Sequence, residues 1–321
     1  MIGVVESVQP VAEATCERPT LRAPLAIHIG YHKTATTFLQ ESVFSRPESP
    51  FACPWGVQSA LAIEHFVLAN PFGFDAAAAR KEFFDASSAQ PPRDKILVVS
   101  HEGLSGDPTH GRYYSREVAD RLRATFPEAT IVIGIREQRS MILSLYCQHL
   151  RRGGCERLEE FVGNDSTRPG FASTLRLDYL AYDRLVDYYQ RLFGPDRVIV
   201  LPIEMLARDQ SQYITRLYTG LGIDVPKWQL MPPQNERLSG VTLRLQRRFN
   251  CIAARRDSRY VFAAHRLCRA VERYVPKPLH RSIERMWKQF INSRAAGMYA
   301  DSNRRLAGMT GLDLKGYGYE W

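Results

Sequence analysis

Leu25-Ala26-Ile27-His28-Ile29 runs directly into Gly30-Tyr31-His32-Lys33-Thr34-Ala35-Thr36-Thr37, and from there into Phe38-Leu39-Gln40. The opening run is continuous rather than alternating, which is the pattern of a strand buried on both faces. The closing residues begin a helical pattern. A loop that joins a strand to a helix start presents free backbone N–H groups and the positive end of the helix dipole. Lys33 adds a point charge there, and Thr34, Thr36 and Thr37 add hydroxyls. That set of groups suits a phosphate or a sulfate.

Three further β-rich runs extend the pattern outward: Ile96–Val99, Thr130–Ile135 and Val198–Leu201. Between them lie helical patterns such as Ser115–Phe126 and Leu177–Phe193. Strand and helix in alternation imply an α/β fold of three layers, a central parallel sheet with helices on both faces. Ligands in such sheets bind at the carboxyl ends of the strands. Residues 1–24 are read as a flexible N-terminal segment, and residues 25–321 as a single domain. Ser87–Arg93 is a polar loop, and Met231–Glu236 a second break. Residues 231–297 then form a helical, basic subregion packed on the core and interrupted at Pro276 and Pro278.

The residues at the strand ends separate two readings of the first loop. A nucleoside-triphosphate P-loop is spelled G-x-x-x-x-G-K-[ST], and no Gly-Lys pair occurs in this chain. Such enzymes also hold magnesium partly through an acid at the end of a later strand. Here the Thr130–Ile135 run ends in Arg136, a cation that can fork onto a phosphate. It opens Arg136-Glu137-Gln138-Arg139-Ser140-Met141-Ile142-Leu143-Ser144. Ser144 falls about two helical turns on, on a face able to approach the same group.

On these two stretches the chain resembles the PAPS-dependent sulfotransferases, which use 3′-phosphoadenosine 5′-phosphosulfate. Gly30–Thr37 is similar to that family's 5′-phosphosulfate loop, usually G-x-x-K-[ST]-G-T-[ST]. Arg136 to Ser144 resembles its 3′-phosphate motif, in which a strand ends in Arg and a helix carries Ser eight residues later. There are two departures. Ala35 replaces the usual Gly, so the loop is expected to avoid positive φ there. Glu137-Gln138 replaces the common Asp-Pro. The resemblance spans Leu25 to Gly222, and the closing segments Tyr299–Leu306 and Gly311–Tyr319 look like the ends of bacterial members.

The resemblance implies a P-loop-like fold and in-line attack of an acceptor hydroxyl on sulfur, with PAPS as cosubstrate, adenosine 3′,5′-bisphosphate (PAP) as product and no metal. It places His32, Lys33, Thr34, Ala35, Thr36, Thr37, Arg136 and Ser144 around the nucleotide. Sulfuryl transfer needs positioning and charge stabilisation at the leaving oxygen, a role expected of Lys33 with His32 as helper. A base must take the hydroxyl proton. Ser100-His101-Glu102 ends the second run, and both His101 and Glu102 are candidates. Neighbours on an extended chain point in opposite directions. Sugar-modifying members use a glutamate and phenol-modifying ones a histidine, so Glu102 is favoured over His101. Glu204, after the last strand, is expected to fix local structure. Asn235, Arg237 and Ser239 are candidates for a loop closing over the nucleotide, while Tyr179, Tyr182, Tyr188 and Tyr189 are expected to pack.

The gross composition agrees with this reading without selecting it. The 321 residues are 45% hydrophobic and 24% charged, with a formal net charge of +9, which favours anionic partners. Arg244 to Lys288 holds 13 cations against 3 acids, so this segment carries the whole excess. It reads as solvated helix faces or as a surface for an anionic acceptor or lipid head groups. The 6 cysteines show no zinc-ligand spacing and are expected to be reduced thiols. The start of the chain lacks the pattern of a signal peptide, and no apolar run long enough to span a membrane occurs. These features imply a cytoplasmic site of action, peripheral membrane contact being allowed, and the resemblance implies a bacterial enzyme with no nucleic-acid partner. The expected acceptor is a carbohydrate or glycolipid hydroxyl. A small phenolic or natural-product acceptor, a magnesium-dependent kinase and a non-enzymatic nucleotide-binding adaptor stand as alternatives.

Overall fold

The structure is a computed structural model that describes residues 25–88, 95–163, 172–225, 239–253, 266–268, 270 and 277–321. Five strands form one sheet: β1 (Leu25–His28), β2 (Phe51–Ala52), β3 (Ile96–Ser100), β4 (Thr130–Ile135) and β5 (Val198–Pro202). Their order is β2-β3-β1-β4-β5, and every pairing is parallel. Nearly every strand residue is buried, as expected where helices cover both faces. The four long runs become strands within a residue of their expected ends. β2 was not anticipated, because two residues are too few to carry a pattern.

Helices fill the connections. After β1 comes α1 (Thr36–Leu39), continued by a π-helical turn over Gln40–Phe44. α2 (Ala60–Ile63) and α3 (Ala76–Ser88) come after β2, and α4 (Ser115–Thr125) after β3. α5 (Gln138–Arg151), α6 (Leu158–Val162) and α7 (Tyr182–Phe193) separate β4 from β5. α8 (Ile203–Arg208), α9 (Gln210–Gly220), α10 (Gly240–Ala253), α11 (Lys277–Ala295) and α12 (Ala300–Thr310) complete the described chain. The expected helix over Leu177–Phe193 is split. A 3₁₀ turn covers Leu177–Leu180 before α7 starts.

α7 lies against β4 and β5 and is covered in turn by α4 and α12. A buried charge fastens that layer. Asp183 on α7 is 5% exposed, accepts from Arg305 at 2.7 Å, and also accepts the Ser302 hydroxyl proton. A carboxylate removed from water is tolerated only when paired in this way. On another side, α10 and α11 pack against α5 and against each other. Pro278 sits in the first turn of α11, where a missing N–H costs nothing. Pro276 lies outside the described residues.

The strand order puts β1 between β3 and β4, so the chain leaves β1 toward one edge and returns to build the other. This is the switch point at which doubly wound sheets open a crevice. The loops after β1, β3 and β4 all end there.

Candidate active site

The loop after β1 is seated on the backbone of β4. Ile29 N donates to Val132 O at 3.0 Å and Tyr31 N to Gly134 O at 3.1 Å. Thr34 is wholly buried and its hydroxyl donates to Tyr31 O at 2.5 Å. A Cβ on Gly134 would stand 2.6 Å from Thr34 Oγ1, and one on Gly30 would stand 2.9 Å from His28 Nε2. Both glycines are therefore required for close approach. Tyr31 anchors the outer side, its ring 4.9 Å from that of Tyr179 and 4.8 Å from that of Tyr182.

The expectation that Ala35 avoids positive φ is overturned. Ala35 has φ 64° and Lys33 φ 67°, both left-handed. The conformation costs a residue with a Cβ about 1–2 kcal/mol. It is imposed from both sides: Thr34 is locked inward, and Ala35 O must accept from Leu39 N at 3.1 Å to start the helix. Two further expectations change. The Thr34 hydroxyl is committed to Tyr31, so only its backbone N–H is left for a ligand. The His32 side chain is buried and donates through Nε2 to Gly106 O at 3.0 Å. Burial holds its pKa below the usual histidine range against the pull of Glu102 and Asp107. The ring is thus neutral, with its one N–H spent, and cannot assist at a leaving oxygen as a donor. Thr36 Oγ1, in contrast, is buried with no partner, and Thr37 is exposed.

Arg136 leaves β4 toward the same loop. Its Nη1 donates to Lys33 O at 3.4 Å and to Ser144 Oγ at 3.2 Å, so arginine and serine meet across two turns of α5. Three groups hold this corner. Tyr182 Oη donates to Arg136 O at 2.7 Å. Glu137 caps α5, accepting from Arg139 N at 2.9 Å and Ser140 N at 2.8 Å, which supplies a capping carboxylate without the usual Asp-Pro. Glu204 accepts from Glu137 N at 2.9 Å and from Tyr319 Oη at 3.0 Å. The expected bracing role of Glu204 and the packing role of Tyr182 are thus one device.

The sequence reading missed two cations here. Arg151 and Arg152 close α5 and, with Arg136, act electrostatically on Lys33. Arg151 lies seven residues after Ser144, which puts both on one helix face; that spacing was the available signal. Arg152 is held by Thr109 Oγ1 at 3.1 Å and Asp107 at 3.5 Å. Lys33 is exposed. Partial loss of water lowers its pKa, and the like charges of Arg151 and Arg136 lower it further. Clustered cations of this kind favour an anion between them.

The third loop leaves β3. His101 Nδ1 accepts from Gly103 N at 2.9 Å and caps the 3₁₀ turn Glu102–Ser105. A ring nitrogen that accepts an N–H carries no proton, so the neutral ring bears its hydrogen on Nε2. Burial lowers the His101 pKa, with Arg152 adding to the effect and Glu102 opposing it. The carboxylate of Glu102 acts on His28, His32 and His101 together, and its Oε2 is buried with no hydrogen-bond partner. His28, read only as part of a strand, is fully buried and 2.9 Å from Ser100 Oγ through Nδ1.

The structure thus gathers Lys33, Thr36, Arg136, Ser144 and the His101–Glu102 pair at one edge of the sheet. Asn235 and Arg237 lie outside the described residues; Ser239 accepts from Thr242 N at 3.2 Å at the start of α10. Among the described residues no group of acids, histidines and cysteines could hold a metal ion, and no helix is long and apolar enough to cross a membrane. Among the described residues Cys53, Cys155 and Cys251 are thiols outside any disulfide.

Residues 24–227 match the sulfotransferase family. A sulfotransferase from Alicyclobacillus acidocaldarius is similar over 93% of this chain and 100% of its own, with 14% identity and a TM-score of 0.55, a likeness of fold. The sulfotransferase domain of the Synechococcus PCC 7002 olefin synthase shows 15% identity over 73% of this chain and 84% of its own, with a TM-score of 0.36. The sulfotransferase domain from the curacin biosynthetic pathway shows 16% identity over 68% and 80%, with a TM-score of 0.38. No curated protein matches the chain.

Proposed function

The chain belongs to the sulfotransferase family, and from that premise we propose that it moves the sulfuryl group of PAPS to a hydroxyl of a carbohydrate or glycolipid. The observation that carries this reading is the convergence of Lys33 and Arg136 from two strand ends, with Arg136 bridging Lys33 O and Ser144 Oγ. A ligand with separate anionic ends matches two cation groups on one crevice. The unpartnered Thr36 Oγ1 and the backbone N–H groups of residues 34–37 would receive the sulfate-bearing end; Arg136 and Ser144 would receive the 3′-phosphate. When bound, PAPS supplies the sulfuryl group and the leaving phosphate oxygen.

The chain's own residues divide the remaining work. Lys33 places positive charge where the leaving oxygen gains negative charge. Glu102 is the base, because its carboxylate is free to accept a proton while His101 is engaged as a cap. His101 holds the turn that carries Glu102. Residues 25–321 act as one unit in this reading, with α10 and α11 braced on α5. The preference for a sugar acceptor is supported by Glu102 as base and by the arginines of α10 and α11, which suit an anionic or head-group-bearing molecule.

Calorimetry tests the donor and a transfer screen tests the acceptor. Adenosine 3′,5′-bisphosphate is expected to bind without magnesium. ATP binding that requires magnesium, with no affinity for the bisphosphate, would point to a kinase instead. Labelled PAPS offered with glycans, glycolipids and phenols is expected to label a sugar hydroxyl, and labelling of phenols alone would refute the acceptor assignment.

A further inference from the structure

A cavity of about 320 Å³ lies between α5, α6, α10 and α11. Arg157, Arg244, Arg247 and Arg248 line it together with the rings of Tyr146 and Trp287. α5 therefore serves two sites on two faces. Ser144 and Arg151 face the crevice described above, whereas Tyr146, roughly 200° around the helix from Ser144, meets Trp287 with ring centroids 5.3 Å apart. The guanidinium of Arg244 stands over the Trp287 ring at 5.8 Å. Arg247 Nη1 donates to Cys155 O at 3.1 Å, which aims its head along the cavity wall.

Four guanidiniums here share a single lining carboxylate, that of Glu159. Among the described residues none of the four forms an ion pair. Like charges held around a concavity repel, and an anion placed among them relieves that repulsion. The planar fork of arginine also matches a sulfate, phosphate or carboxylate edge. The volume lies at the small end of the roughly 300–1,000 Å³ seen for small-molecule pockets, so there is room for more than a bare oxyanion. The faces of Trp287 and Tyr146 suit a ring-bearing body.

We infer that this cavity is a second anion site, taking a sulfate, sulfonate, phosphate or carboxylate group borne on a ring, and that it fills independently of the donor crevice. The inference stands on the cavity alone and does not require the donor reading. It gives part of the basic segment a specific task beyond general attraction of anions.

The test is a calorimetric titration of 1-naphthalenesulfonate, whose C–S bond makes it inert to transfer, into protein saturated with adenosine 3′,5′-bisphosphate. Saturable one-site binding is expected, both there and in Lys33→Ala. Arg244→Gln combined with Arg248→Gln removes two exposed side chains and is expected to weaken binding about tenfold or more, since charge-assisted contacts are lost. Arg247→Gln, tested separately with its unfolding midpoint measured, should do the same. Unchanged affinity in the double variant, displacement by the bisphosphate, or no saturable binding would each overturn the inference. Failure of the bisphosphate itself to bind would count against the donor reading only.

Discussion

Arg136 reaches across from the end of β4 to the main-chain carbonyl of Lys33, at 3.4 Å. Two loops that are 103 residues apart in sequence are thereby fixed to each other before any ligand arrives. The arrangement makes each cation dependent on the other's position. It also separates their tasks, because Lys33 projects from the loop that starts α1 and Arg136 from the strand that leads into Ser144.

That separation gives different kinetic signatures. Lys33→Ala removes charge at the leaving oxygen and is expected to lower kcat by about 10²–10³-fold, the range for loss of one transition-state donor. Arg136→Ala removes charge-assisted bonds of about 1.5–3 kcal/mol, so the donor KM should rise roughly 10- to 100-fold. Steady-state kinetics with varied PAPS decide it. Equal, small effects in both variants would refute the assignment.

The base is decided by a pair of substitutions at adjacent positions. Glu102→Gln keeps the shape of the side chain but cannot accept the proton, and kcat should drop about 10²–10⁴-fold. His101→Asn preserves an acceptor for Gly103 N and should retain activity within about tenfold. A collapse of kcat in His101→Asn, with Glu102→Gln active, would reverse the two roles.

Much of this site was legible because its signals are local. Continuous apolar runs revealed four of the strands, and Lys33 among threonines after the first of them marked the anion loop. What escaped depends on contacts between distant segments. The left-handed Ala35 arises from Thr34 packing on Gly134, and no local rule assigns that conformation to alanine. His32 reads as a site residue until its Nε2–H is found donating to Gly106 O. Tyr182 reads as a packing residue until its hydroxyl reaches Arg136 O.

Ala35 supplies a prediction of its own. Glycine adopts φ 64° without the Cβ penalty, but it also has more freedom to lose from the unfolded chain. The net for Ala35→Gly is a gain of about 0.5–1 kcal/mol, read from urea unfolding. Bisphosphate affinity should be retained. A loss of stability would mean that the loop does not hold this conformation in solution.

The final prediction concerns acid sensitivity and centres on His28. Burial pushes its pKa down to about 4, with Glu102 opposing and His101 assisting. In the unfolded chain the value returns to about 6.5. Between these values the unfolded state binds more protons, so stability is full above about pH 6.5 and is lost as pH falls toward 4. His32 and His101 are also depressed and act with the same sign. His28 alone should remove about 2–3 kcal/mol by pH 4.5. His28→Gln keeps a polar group beside Ser100 but cannot titrate. It should be less stable than the parent at pH 7.5, yet lose about 2–3 kcal/mol less on going to pH 4.5. Parallel pH slopes for parent and variant in urea unfolding would show that His28 is not held neutral by the fold.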